Sequence, residues 1–237
     1  MGSIRENLAR VRERIASAAA RAGRSPGEVR LVAVTKARPP EALAEAIEAG
    51  VEALGENRVQ EAKEKREEMD EEVAARARWH LIGSLQRNKA RAVPCLFDVV
   101  ESVDSLALAR ELARRAEAAG AAPLEVFVQV NTGREAHKGG VLPEDAMELL
   151  RGAAALEALA VRGLMCIPSL ASSPEESRPQ FRLLRGLRDE AREAGLDSVQ
   201  NLSMGMSADF EVAIEEGATL VRVGTAIFGP RPAPSPD

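Results

Sequence analysis

Short apolar runs alternate with longer amphipathic stretches along almost the whole sequence, and this alternation restricts the chain to few folds. Eight runs rich in Val, Leu, Ile and Ala are each followed by a helical pattern or a helical turn. Strands that alternate with helices are joined by helical crossovers and therefore lie parallel. The predicted strands are residues 31–35, 53–54, 79–82, 96–100, 124–130, 160–165, 199–202 and 219–223. The predicted helices between them are 39–49, 57–70, 86–92, 105–119, 143–154, 174–194 and 207–216.

Eight β/α units predict an α/β protein with one (β/α)8 barrel of the TIM type. An extra amphipathic helix at 3–23, with Ser3 as its N-cap, precedes the first strand. A chain of 237 residues has room for one well-buried core, so residues 1–229 are expected to form a single barrel domain. The Pro-rich residues 230–237 are expected to be a flexible tail. A doubly wound open sheet is the alternative, because the same alternation produces it.

Composition and charge exclude several classes of function. The formal net charge is -5 and the basic residues are mixed with Glu, so nucleic acid is not an expected partner. No stretch has the apolar length of a signal peptide or a membrane span, and a cytoplasmic protein without membrane contact is expected. Cys95 and Cys166 are too few and too far apart for a disulfide framework or a metal cluster, and both are expected to be buried.

Active sites of (β/α)8 barrels lie at the carboxyl ends of the strands, so polar residues just after each apolar run are candidates. Lys36 follows the first strand, where apolar walls favour the neutral amine that attacks aldehydes. A lysine that simply extends to solvent is the alternative interpretation. Residues 56–58 follow the second predicted strand, and Glu101 follows the fourth.

The loops after the seventh and eighth strands form the usual phosphate site of this fold. Here they contain residues 203–207 and the pair Gly224 and Thr225, whose small side chains and hydroxyl groups suit an anion. In the alternative interpretation, Ser207 only caps the helix that follows. His80 lies inside an apolar run, which favours a hydrogen-bonded structural histidine, and no metal site is predicted.

Several segments together resemble the pyridoxal-phosphate homeostasis proteins. They are AVTK at 33–36, GENRVQE at 55–61, WHLIGSLQRNK at 79–89, LSMGMSAD at 202–209 and VRVGTAIFG at 221–229. The resemblance runs in order through most of the chain. It implies a single-domain relative of the alanine racemase N-terminal barrel, with fold type III and pyridoxal 5'-phosphate (PLP) as cofactor.

The resemblance also implies roles for individual residues. Lys36 is implied to carry PLP as an aldimine, and Arg222 to face the pyridine nitrogen. The phosphate is implied to be held around the loops after the last two strands, and two further residues to line the pocket. The full set of implied cofactor-binding residues is Lys36, Asn57, His80, Ser203, Met204, Ser207, Arg222, Gly224 and Thr225. Arg58 departs from the resemblance, because an aromatic residue is expected at its position.

A non-catalytic PLP carrier or buffer in vitamin B6 and amino-acid homeostasis is therefore the leading hypothesis, with no catalytic residues assigned. Its expected partners are PLP and PLP-dependent apo-enzymes, and a monomer is expected. A PLP-dependent amino-acid racemase or decarboxylase is one alternative. An aldolase that uses Lys36 on a sugar phosphate is another, since a barrel, a lysine and a phosphate site also suit that reaction.

Overall fold

A computed structural model describes residues 2–120 and 123–230, and its eight parallel strands close into a barrel in sequence order. The first strand pairs with the second and also with the eighth, which confirms the barrel prediction and excludes the open sheet. Residues 231–237 of the predicted tail lie outside the described residues. The strands are β1 (Arg30–Val34), β2 (Ala53–Glu56), β3 (Arg78–Leu81), β4 (Val99–Val103), β5 (Leu124–Gln129), β6 (Leu159–Met165), β7 (Asn201–Ser203) and β8 (Leu220–Val223).

The extra amino-terminal helix is present, and Ser3 caps it as predicted. The Ser3 hydroxyl accepts from the N–H of Glu6 at 3.3 Å, and the Glu6 carboxylate accepts from the N–H of Ser3 at 2.9 Å. The helices are α1 (Ile4–Arg21), α2 (Pro40–Glu48), α3 (Val59–Glu68), α4 (Glu71–Ala74), α5 (Val93–Leu96), α6 (Leu106–Ala118), α7 (Ala146–Ala154), α8 (Arg178–Glu193), α9 (Phe210–Glu215) and α10 (Thr225–Phe228). None of the described helices is long and apolar enough to cross a membrane.

Both faces of the sheet are buried, which explains why the strands appear in the sequence as nearly unbroken apolar runs. A large outer core fills the space between the strands and the helices. A smaller apolar cluster fills the barrel interior and consists of Val32, Val99, Phe127, Met165 and Leu220. Polar side chains of the same strands lie inside the barrel beyond this cluster, and they supply part of the site described below.

Two predicted boundaries are wrong in ways that matter for the site. The fourth strand begins at Val99, because Leu96 belongs to the short helix α5, so Glu101 lies inside β4 instead of following it. The apolar run that predicted the strand covers parts of both elements, and periodicity alone does not separate them. The helix after β7 begins at Phe210, three residues later than predicted. The prediction that Cys95 is buried is also wrong, because its position in α5 leaves it exposed.

Candidate functional site

A cavity of about 570 Å³ lies at the carboxyl ends of the strands. Loops that follow six of the eight strands contribute to its walls, as expected for an active site in this fold. It brings together six of the nine residues implied by the resemblance, namely Lys36, Asn57, Ser207, Arg222, Gly224 and Thr225. Its other lining residues are Val34, Arg38, Ile82, Ile167, Leu170, Met206 and Ala208. The cavity therefore combines one amine, two guanidinium groups, hydroxyl groups and apolar walls.

The backbone on both sides of Lys36 is fixed by side chains of helix α3. The ammonium group of Lys65 donates to the carbonyl oxygen of Thr35 at 2.8 Å, just before Lys36. The carboxylate of Glu61 accepts from the N–H of Ala37 at 2.6 Å, just after it. Ala37 has φ 56°, a left-handed conformation that costs a residue with a Cβ about 1–2 kcal/mol. The contact with Glu61 helps to hold this turn, which points Lys36 into the cavity.

Lys65 is itself buried and completes an ion-pair cluster beneath the turn. Its ammonium lies 2.7 Å from a carboxylate oxygen of Glu56 and 2.7 Å from one of Glu61. The Thr35 hydroxyl donates to the same Glu56 oxygen at 2.6 Å. Burial raises the pKa of Glu56 from its ordinary value, and the nearby Lys65 charge opposes this shift. Glu56 therefore faces α3 and does not line the cavity, contrary to its expected place at the barrel mouth.

The loop after β7 has a conformation that requires glycine. Gly205 has φ +92°, and a Cβ there would lie 2.6 Å from the Cβ of Ala213. Its carbonyl accepts from the N–H of Arg222 at 3.0 Å, so the loop after β7 is tied to strand β8. Gly224 allows a different close approach, since a Cβ there would lie 3.1 Å from the carbonyl oxygen of Val34 at the end of β1.

Ser207, in the loop after β7, is bonded to the loop after β8 through its hydroxyl oxygen. This oxygen accepts from the N–H groups of Gly224 at 3.3 Å and Ala226 at 3.5 Å, at the start of α10. Ser207 therefore does not cap the helix that follows it, as the alternative interpretation required. Asp209 is the N-cap residue of α9, but its carboxylate accepts from the N–H of Met206 at 2.7 Å, before the helix, and no side-chain hydrogen bond caps α9. Ser207 and the exposed Thr225 bring hydroxyl groups to this side of the cavity.

A buried hydrogen-bonded chain extends from Arg222 into the barrel. The Arg222 guanidinium donates to the Ser203 hydroxyl at 2.6 Å and to the carbonyl of Cys166 at 2.7 Å. The Ser203 hydroxyl lies 2.5 Å from Glu101, and Nδ1 of His80 lies 2.6 Å from the other Glu101 oxygen. Burial opposes ionisation of Glu101, but the contacts with His80, Arg222 and Ser203 outweigh it and lower its pKa. A buried carboxylate thus accompanies the buried Arg222 cation.

Three of the implied residues do not line the cavity. Ser203 is fully buried and its hydroxyl is used by Glu101 and Arg222, while Met204 is fully buried in the outer core. His80 lies deeper in the barrel and borders a cavity at the amino ends of the strands. Side chains two residues apart on a strand share a face. Ile82 therefore lies at the height of the cavity beside Lys36, and His80 lies one layer deeper in the barrel.

Arg38 also lines the cavity, although it was not among the residues predicted from the sequence. Its guanidinium donates to the carbonyl oxygens of Gly229 and Pro230, the latter at 3.0 Å, and lies 5.8 Å from the centre of the Phe228 ring. It therefore brings a positive charge to the cavity from beside α10. In a regular strand, its position two residues after Lys36 would predict that the two side chains share a face. The turn at Ala37 interrupts that periodicity, so the sequence pattern does not place Arg38 in the cavity.

The fold and the site define a class of protein: a (β/α)8 barrel with a lysine just after β1, next to the loop after β8, in a cavity that the loops after β7 and β8 also line. The family model for the N-terminal domain of alanine racemase matches residues 6–232. A pyridoxal phosphate homeostasis protein of Aquifex aeolicus is 44% identical over 226 residues, which is 95% of this chain and 97% of that protein. The chain belongs to the pyridoxal phosphate homeostasis protein family.

Solved structures agree with this assignment. PipY of Synechococcus elongatus, solved with PLP bound, has a TM-score of 0.83 and 37% identity, and the match covers 96% of this chain and all of that one. Alanine racemase of Clostridium difficile 630 has a TM-score of 0.73 at 18% identity, with 98% of this chain and 58% of that chain covered. The second comparison shows the fold alone, and the matched part leaves a large remainder of the racemase without a counterpart.

Proposed function

We propose that this protein binds PLP in the cavity beside Lys36 and stores it reversibly, without turning over amino acids. The observation that carries the proposal is the convergence on one cavity of an amine, a buried guanidinium and the hydroxyl-bearing loops after β7 and β8. The PLP-bound PipY structure, which matches 96% of this chain, supports the choice of ligand. The bound aldehyde supplies a group that condenses reversibly with a primary amine.

The residues present fit this cofactor. The cavity volume of about 570 Å³ falls within the range of roughly 300–1,000 Å³ typical of small-molecule sites. Val34, Ile82 and Ile167 provide apolar surface for an aromatic ring. The Ser207 and Thr225 hydroxyls, together with the Arg38 charge, suit a phosphate group.

Each side chain has a distinct task in the proposed site. Lys36 supplies the amine, and Lys65 and Glu61 hold the turn that presents it. Arg222, fixed by Ser203 and the Cys166 carbonyl, faces the cavity with a permanent positive charge. A guanidinium beside a pyridine nitrogen disfavours protonation of that nitrogen, which weakens the cofactor as an electron sink.

Absence of catalysis is the second part of the proposal. Racemisation by two bases needs an acid/base group on each face of the substrate carbon. By resemblance, alanine racemases use a tyrosine from a partner subunit as the second base, and this sequence contains no tyrosine. Lys36 alone serves only one face. Storage and release of PLP need neither a second base nor a strong electron sink, so they are consistent with the lack of tyrosine and with the Arg222 charge.

The binding proposal is tested on the purified protein loaded with PLP. We expect visible absorbance, and after borohydride reduction we expect the adduct to map by mass spectrometry to Lys36. Lys36→Ala should lose both signals, whereas Lys138→Ala should retain them, because the Lys138 amine binds the Pro168 carbonyl at 2.8 Å and lies outside the cavity. An adduct on another lysine, or full absorbance in Lys36→Ala, would show that the site is misassigned.

The absence of catalysis is tested by incubating the loaded protein with single L-amino acids in deuterated water. We expect α-hydrogen exchange no faster than with free PLP and no accumulation of the D-enantiomer. Multiple turnovers that disappear in Lys36→Ala would favour the alternative, an amino-acid racemase or decarboxylase.

A further inference from the structure

A second and larger cleft lies beside the cofactor cavity. It encloses about 790 Å³ between α3, the loop after β3 and α5. Asn57 lines both spaces, so the two adjoin at this residue. The proposed PLP site uses no other lining residue of the cleft.

Two of the sequence segments that carried the family resemblance meet in this cleft. Residues 57–60 come from the first segment, and five residues between 84 and 89 come from the second. Only Asn57 and Ile82 of these two segments line the cavity beside Lys36. The proposed function therefore leaves most of both segments without a role, and the cleft is where they come together.

The cleft is strongly basic, although the whole chain has a formal net charge of -5. Four cations line it and no Asp or Glu does, within the part of the chain that the structure describes. Lys63 pairs with Glu67 at 3.5 Å, just outside the cleft. The other three, Arg58, Lys89 and Arg91, have no carboxylate within 4.0 Å in the described chain, although the charge of Arg58 helps to lower the pKa of Glu61. Such a local concentration of positive charge attracts anions.

The floor of the cleft is apolar and well supported. Val59, Leu85 and Leu96 pack against the hydrophobic core with one side and line the cleft with the other. Arg66 of α3 connects the α3 side of the cleft to the α5 side, because its guanidinium donates to the Leu96 carbonyl at 2.8 Å. The same guanidinium lies 5.2 Å from the centre of the buried Trp79 ring. A preformed apolar floor below a basic rim suits a ligand that has an apolar body and a negative charge.

We propose that this cleft binds an organic phosphate of nucleotide size. The ring system lies on the apolar floor, and the phosphate groups contact Arg58, Lys89 and Arg91, since guanidinium and ammonium groups are the preferred protein partners of phosphate. The side-chain amides of Gln60, Gln86 and Asn88 supply donors and acceptors for the polar edge of the ring. The volume of about 790 Å³ is within the usual range for small-molecule sites.

Cys95 offers a reporter inside the cleft. It is exposed and lines the cleft, whereas burial raises the pKa of Cys166 to about 12 and shields it from reagents. The experiment measures the rate at which N-ethylmaleimide modifies Cys95 in the PLP-loaded, borohydride-reduced protein. Fixing PLP first fills the cavity beside Lys36, so a change at Cys95 reports the cleft. The Cys95 assay also works on protein that fails to retain PLP, which keeps the two proposals separately testable.

Adenosine diphosphate is the probe, with adenosine and pyrophosphate as its separate halves. At about ten times its dissociation constant, the diphosphate should occupy the cleft about nine-tenths of the time and slow the modification about tenfold. Each half alone should protect much less at the same concentration. Absence of protection by the diphosphate at millimolar concentration would overturn the proposal, and so would equal protection by either half.

A matched pair of variants tests whether the diphosphate protects Cys95 by binding in the cleft. Arg91→Glu should abolish protection, while Arg87→Glu should retain it. Both arginines are exposed on the 3₁₀ segment Arg87–Ala92, but only Arg91 lines the cleft. Both variants change the net charge equally, and neither residue has an ion pair in the described chain. Equal loss of protection in the two variants would show a nonspecific charge effect. Protection by polyglutamate but not by the diphosphate would assign the cleft to an acidic protein segment and refute a nucleotide-sized ligand.

Discussion

Replacing Lys65 with methionine tests the cluster that holds the Lys36 turn. Methionine has a similar length but no charge, so the change removes the only cation within bonding distance of Glu56 among the described residues. Glu56 is fully buried, and its second carboxylate oxygen already has no hydrogen-bond partner in the described structure. The variant therefore leaves a buried carboxylate whose only remaining donor is the Thr35 hydroxyl.

The expected cost follows from this geometry. Removing one partner of a buried ion pair typically costs about 3–5 kcal/mol, because the other charge stays buried without compensation. Glu61, which is partly exposed, recovers water contacts and moderates the loss, so we expect a decrease of about 3 kcal/mol in the free energy of unfolding. A domain with an ordinary stability of about 5–15 kcal/mol remains folded after such a loss.

The loss in the free energy of unfolding caused by Lys65→Met should become smaller as the pH falls. Burial raises the pKa of Glu56 in the folded state above its ordinary value of 4.5, and loss of Lys65 removes the charge that opposes this shift. The folded variant therefore binds a proton more readily than the unfolded chain does. Its destabilisation is complete above the folded-state pKa and shrinks as pH falls through that pKa toward 4.5.

The assay is urea unfolding followed by the fluorescence of Trp79, the single tryptophan, at about pH 7.5 and about pH 5. Lys63→Met, on the exposed side of the same helix, is the control and should change stability little. Adding Glu56→Gln to Lys65→Met should recover much of the loss. A deficit below about 1 kcal/mol at the higher pH, or one that grows as pH falls, would refute the argument.

Three further outcomes are expected. Native protein should react with a thiol reagent at Cys95 only, and unfolding should expose Cys166. Rapid reaction of both thiols in the native state would contradict the burial of Cys166. Gly224→Val should press on Val34 at the end of β1 and weaken PLP retention, and unchanged retention in a dialysis experiment would contradict this. Ser207→Ala should cost about 1 kcal/mol, because it removes the acceptor for two N–H groups at the start of α10. Unfolding midpoints equal to those of the unsubstituted protein would contradict that role.

The sequence by itself determined the order of parallel strands and helices and the place of Lys36 after the first strand, whereas the pairing of β1 with β8 in the structure decided that the sheet closes into a barrel. Eight apolar runs, each followed by a helix or helical turn, leave few alternatives to parallel strands with crossovers, and a lysine directly after the first run must lie at a carboxyl end. The same local logic located the loops of Ser207 and Gly224. These features depend on periodicity and chain order, which can be read along one segment at a time.

Only the tertiary structure decided which of these residues share a space. Ser203 and His80 follow the predicted pattern but turn into the barrel, where Glu101 binds both. Lys65 reaches from α3 to the carbonyl before Lys36, and the basic cleft forms where residues 57–63 meet residues 84–96. Such contacts depend on the stagger of strands around the closed barrel and on how each helix packs against it. Neither quantity is encoded in the hydrophobic pattern of a single segment.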